Sequence, residues 1–97
     1  MSSKTRVFDI QNYIDTPEAQ SEYLAAAFEE GDPAFIAAAL GDIARARGVT
    51  ALAKETGISR EAIYKGFRVG GNPTIGTLAK AAKALGFRLA LVRVGAA

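Results

Sequence analysis

Tyr23, Leu24, Ala27 and Phe28 recur three and four residues apart, and so do Ile36, Ala39, Leu40 and Ile43. That period gives two amphipathic helices. Both announce where they begin. Thr16, Pro17 and Glu18 supply an N-cap, a first-turn proline and a first-turn acid, and Asp32 with Pro33 repeats the signal. Gly31 stops the first helix, which spans about 17 to 30, and the second runs until Gly48. Ahead of them, "FDIQNYI" holds a short helical turn capped by Asp9.

The pattern then tightens. In "TALAKETGISREAIYKGF", Thr50 reads as the N-cap of a helix that carries Leu52, Ala53 and Thr56 inward, Gly57 as its left-handed terminator, and Ser59 as the cap of the next helix. Two helices therefore meet at a tight turn. In the second, Ala62, Ile63, Gly66 and Phe67 form the inward stripe, and the small Ala53, Ala62 and Gly66 let the helix axes approach closely. Gly66 costs an isolated helix about 1 kcal/mol against Ala, so close packing is its expected reason. A last helix runs from Thr74 to about Leu85, ended by Gly86.

Beyond it, "FRLALVRV" changes period. Phe87, Leu89 and Leu91 alternate with Arg88 and Ala90, and Val92 and Val94 continue a β-rich run. A lone strand must find a partner, either the extended start "TRVF" or a strand of another chain, and the same strand of a second subunit is the attractive choice. The expectation is a mostly α fold of four or five helices with a short C-terminal β-strand. It forms a single domain over 1–97, with an acidic helical part at 1–41, a helical core at 42–86 and the strand at 87–94.

Composition narrows the chemistry. The chain has 97 residues, no cysteine and no histidine. That removes disulfides, thiolate metal sites and the usual general base, and no Gly-rich phosphate loop follows a strand, so no enzyme, metal or cofactor is expected. No uncharged apolar run approaches the roughly 18 residues of a membrane span, and the start has no secretory pattern, so a cytoplasmic protein with no membrane role is expected.

Charge changes the picture more. Through Gly41, Lys4 and Arg6 face seven acids, a net −5; from Asp42 onward, ten cations face three acids, a net +7. The halves should have different partners, and the basic one carries the electrostatic footprint of a nucleic-acid binder. Its outward stripe is Arg60, Glu61, Tyr64, Lys65 and Arg68, cationic by two and holding an aromatic with a hydrogen-bonding tip. A helix starting at Ser59 would bring Arg60, Glu61, Tyr64 and Lys65 to base edges in a major groove about 12 Å wide. Thr50, Asn72 and Thr74 flank it as phosphate ligands, although Thr50 and Thr74 can equally do no more than cap their helices. Glu61 either accepts from a cytosine amine or favours the helix N-terminus, and the second role is preferred.

These residues carry a resemblance. "VTALAKETGISREAIYKGF" followed by "GNPTIGTLAKAAKALGF" resembles the Cro and lambda-repressor type of helix-turn-helix, with Ala53, Gly57, Ile58 and Ile63 at its small, turn and core positions and Asn72, Pro73 and Thr74 opening the next helix. Thr56 departs from the pattern, since a larger apolar residue is commoner there. Nearly the whole chain resembles addiction-module antidote proteins, the HigA-like antitoxins of type II toxin-antitoxin operons. The resemblance implies an antitoxin that binds operator DNA, represses its own operon and neutralises a small RelE/ParE-type toxin, and it adds that toxin as a possible partner for the strand. A homodimer is expected because such proteins read half-sites about 34 Å apart. The rival readings are a stand-alone repressor without a toxin, and an interaction module that has lost DNA binding.

Overall fold

The computed structural model describes residues 13–95, and five helices lie wholly within them. The first, α1 (Pro17–Glu30), starts where its cap directs: the Thr16 hydroxyl accepts from the Ala19 N–H at 3.1 Å. It ends at Gly31, in the left-handed region, whose N–H bonds Ala27 C=O. Helix α2 (Pro33–Arg47) is capped by the Asp32 carboxylate, which accepts from Ala34 N–H at 3.0 Å. Three short helices follow: α3 (Val49–Thr56), α4 (Arg60–Gly66) and α5 (Ile75–Ala84).

Helix α2 is the hub. It packs against α1, α3 and α4, while α3 also meets α4 and α5. Leu24, Leu40, Ile43, Leu52, Ile63 and Phe67 are buried in one cluster that draws on α1 to α4, and Ala81 and Leu85 add α5 to it. A close approach lies at Gly41 of α2, where a Cβ would lie 2.3 Å from the backbone oxygen of Phe67. Only glycine leaves room there for the carbonyl that caps the end of α4.

A polar tie joins α1 to α2. Tyr23 Oη–H donates to Asp42 Oδ2 at 2.7 Å, and the Tyr23 ring meets Phe35 edge-on, centroids 6.4 Å apart. Burial and this hydrogen bond push the phenol up to about 12. At the other end of the bundle, α5 finishes in a Schellman motif: Phe87 N–H bonds Ala82 C=O, Gly86 N–H bonds Lys83 C=O, and Gly86 takes φ 88°. The two remaining carbonyls accept from other helices, Ala84 from Arg47 Nη1 at 3.5 Å and Leu85 from Ser21 Oγ at 3.1 Å.

Three expectations are corrected. Thr50 is not an N-cap: α3 begins at Val49 behind Gly48, at φ 94°, and has no side-chain cap. Gly48 turns the chain so that the helix starts two residues sooner than a threonine cap allows. The helix beginning after Ser59 ends at Gly66, so Arg68 lies beyond it, in a turn closed by Gly71 N–H on Arg68 C=O. Phe67 leaves the helical region (φ −99°, ψ 71°), and Gly71 sits so near that a Cβ on it would lie 2.2 Å from Gly66 O. The C-terminal β-strand is not formed among the described residues. Residues 88–94 lack the backbone hydrogen bonds that define a strand, and no second strand lies beside them. Thr56 is half-buried, as expected of an inward position, and its hydroxyl works on the backbone, donating to Leu52 C=O at 2.7 Å and accepting from Ile58 N–H at 3.1 Å. The expectations on "TRVF", the Asp9 cap and most of "FDIQNYI" lie outside the described residues.

Gly41→Ala should destabilise the protein by about 1–3 kcal/mol in urea unfolding, despite the better helix propensity of alanine, because the obstructing atom is backbone. Gly76→Ala, on the exposed side of α5 with only Thr74 Oγ1 near at 3.9 Å, should stabilise it by about 0.4–1 kcal/mol. Equal effects at the two sites would show that the α2–α4 approach is not tight. Tyr23→Phe should cost about 0.5–1.5 kcal/mol at neutral pH. The folded pKa stands above the unfolded value of 10.0, so this contribution is complete below pH 10 and vanishes as pH rises through about 12. Tyrosinate absorbance at alkaline pH should lose its last step in the variant.

Candidate nucleic-acid interface

Helices α3 and α4 are joined by Gly57, Ile58 and Ser59, and the turn is secured from both sides. Gly57 takes φ 77° and gives its N–H to Ala53 C=O, while buried Ile58 anchors the turn in the core. The Thr56 hydroxyl bridges α3 to the turn, so the polar residue stands where it replaces packing with two hydrogen bonds. Ser59 then caps α4, accepting from Ala62 N–H at 3.1 Å.

With Ile63, Gly66 and Phe67 buried and Ala62 packed against the core, the polar side of α4 is turned out. Arg60, Glu61 and Lys65 are exposed, and Tyr64 is 61% exposed. Two of the sequence candidates come together across the turn: Arg60 Nη1 donates to Thr50 Oγ1 at 3.3 Å, so the threonine works as a brace for the arginine and not as a cap. Arg68 is exposed beside them and folds back, Nε donating to Lys65 C=O at 3.1 Å. Among the described residues the carboxylates in ion pairs are Asp42 and Glu55, held by Arg45 and Arg47. Arg60, Lys65 and Arg68 therefore present charge that no carboxylate of the described chain neutralises.

The segment before α5 is pinned to the same unit. Gly66 faces Pro73, whose Cβ would stand 3.2 Å from a Cβ placed on the glycine, so the expected close packing is present. Pro73 holds exposed Asn72 and Thr74 on either side of itself. Thr74 caps α5, accepting from Thr77 N–H at 3.1 Å and donating to Thr77 Oγ1 at 3.0 Å. Ser59 and Thr74 thus cap as expected, and Asn72 makes no such bond. The sequence reading passed over Val69 and Ile75, each 78% exposed in the turn after α4 and at the start of α5. Ile75 shares a stripe with Leu78 and Ala82, yet it stands in the first turn, past the edge of the core. An apolar residue directly after a capping threonine was the available signal.

A family model described as probable addiction module antidote protein matches residues 4–93. An uncharacterized protein of Haemophilus influenzae is 40% identical over 85 residues, covering 88% of this chain and 88% of that relative. No solved structure matches.

The two hydroxyls should separate in unfolding experiments. Ser59→Ala removes a cap bond and should cost about 0.5–2 kcal/mol, whereas Thr50→Ala, which loses only an exposed bond to Arg60, should stay within about 0.5 kcal/mol of the parent. A Thr50 loss as large as that of Ser59 would restore it as a cap.

Proposed function

The chain belongs to the family of probable addiction module antidote proteins, and from that premise we propose that it is a binding protein of a toxin-antitoxin pair, which neutralises a RelE/ParE-type toxin and represses its own operon by binding operator DNA as a homodimer. On this reading α3 and α4 are a helix-turn-helix of the Cro and lambda-repressor type. The observation that carries the DNA half is the exposed face of Arg60, Tyr64, Lys65 and Arg68, whose cations have no carboxylate partner among the described residues. Such a face gains most from phosphates, because each contact releases a condensed counterion and breaks no internal pair.

The roles divide by position. Arg60 opens α4, where a recognition helix meets base edges, and its brace to Thr50 holds the guanidinium in a limited set of poses before contact. Tyr64 lies one turn further along the same side, and Glu61 favours the helix start. Lys65 and Arg68 grip phosphate, joined by Thr50, Ser59, Asn72 and Thr74 where their polar groups remain free. A dimer seated over the promoter excludes polymerase.

The toxin half is supported by charge. Glu18, Glu22, Glu29 and Glu30 of α1 are exposed and have no cationic partner among the described residues, which suits a basic, RNA-gripping protein.

Fluorescence anisotropy with DNA from its own promoter tests the reading. Arg60→Ala should cost about 1–3 kcal/mol on the cognate site and relax preference at one base pair. Arg68→Ala should weaken cognate and random DNA alike and lower the salt slope by about one unit. If neither substitution does more than a small uniform charge effect, the face does not bind DNA. Reversing Glu22, Glu29 and Glu30 to Lys should weaken capture of the toxin encoded beside it and spare the operator; unchanged capture with lost DNA affinity would overturn the division of roles.

A further inference from the structure

The segment after α5 is extended, apolar and unsatisfied. Leu91 is fully exposed, Val92 and Val94 are 81% and 88% exposed, and the backbone of 88–94 makes no hydrogen bond among the described residues. It runs beside α1, where Arg88, Leu89, Ala90, Val92 and Val94 line a shallow groove with Leu24 and Phe28, while Leu91 and Arg93 are not part of that lining. One side of the segment thus has a floor, and its edges and outer side meet nothing among the described residues. A strand edge of this kind pairs with another strand.

We infer that the partner is the same segment of a second copy, running antiparallel and centred on Leu91, so that residues 88–94 become the two-fold axis of a dimer. The sequence is self-complementary in this register. Leu91 opposes its twin, Ala90 opposes Val92, Arg88 opposes Val94, and Leu89 opposes Arg93, so no two cations face each other. Slipping by one residue, to centre between Ala90 and Leu91, would oppose Arg88 to Arg93 twice over and is excluded by repulsion. In the centred register the partner's Ala90 and Val92 also extend the apolar floor over α1, and the fully exposed leucine is buried against its copy. The inference deepens the dimer of the preceding reading, and its test uses no DNA or toxin, so it stands or falls separately.

Light scattering of the full chain at micromolar concentration should give about 20 kDa, twice the 10.1 kDa of one chain. Leu91→Lys places like charges opposite each other on the axis and should give the single-chain mass with unchanged far-UV helicity, since Leu91 touches no core. The chain has no cysteine, so one introduced thiol reads the register directly: Leu91→Cys should cross-link to its own copy under mild oxidation, because opposed antiparallel residues lie about 4.5–5.5 Å apart at Cα. Val69→Cys, exposed in the turn after α4, should not. A monomeric parent protein overturns the inference, and slow amide exchange at 88–94 in that monomer would show that the segment is covered from within its own chain. A Leu91→Lys variant that stays dimeric, or cross-linking as fast at position 69 as at 91, would overturn it in favour of another interface.

Discussion

The carbonyl of Phe67 rests on α2 at Gly41, where any side chain would collide with it. Few contacts in the molecule are as unforgiving, and the candidate interface hangs from it. Phe67 ends α4, so its position fixes where α4 stops and which of its faces turns outward. The ring is buried with Ile63, and these two residues hold α4 flat on the core while Arg60, Tyr64 and Lys65 remain in solvent. From Phe67 the chain turns through Gly70 and Gly71 and brings Pro73 back onto Gly66. A larger residue at 41, 66 or 71 would lift the same short helix. The arrangement stabilises one orientation of α4 and does little for its intrinsic helicity, since seven residues with a glycine among them are too few to persist alone.

A second anchor lies at the C-terminal end of α5. Helix ends leave carbonyls without partners, and here they are taken up by the turn of 85–87, by Arg47 of α2 and by Ser21 of α1. The polar groups that finish α5 therefore also bind it to the two long helices. Phe87 is the last residue held in this way. Beyond it the chain leaves the core along α1, and its apolar side chains are exposed because the bundle is already closed by Leu85 and Phe87.

Much of this was legible in the chain, for a local reason. Thr16–Pro17, Asp32–Pro33, Ser59 and Thr74 each specify a helix start within three residues, and Gly31, Gly57 and Gly86 specify stops through one backbone angle. The misreadings have non-local causes. Thr50 has the chemistry of a cap, but Gly48 had already turned the chain. Thr56 stands where a larger apolar residue is commoner, and only the turn reveals its hydrogen-bond partner, Ile58 N–H. Arg68 continued the helical spacing, yet Phe67 had to leave the helix to reach Gly41. The alternation of 87–94 is real, but a strand is a relation between two segments, and alternation in one of them does not supply the other.

The division of charge acquires a geometry from the same packing. Helix α1, with its exposed acids, and α4, with its unpaired cations, both pack on α2, so the hub stands between the surface suited to a basic protein and the surface suited to phosphate. At physiological salt, fields from exposed charges fade over about 8 Å, so under the proposed function a duplex on α4 would be only weakly repelled by the glutamates of α1. Had acids and cations been mixed on one face they would have neutralised each other and left neither partner an electrostatic lead. Segregating them on two helices that share α2 keeps each surface its own sign of charge, and Gly41 leaves α4 little freedom to shift on that hub.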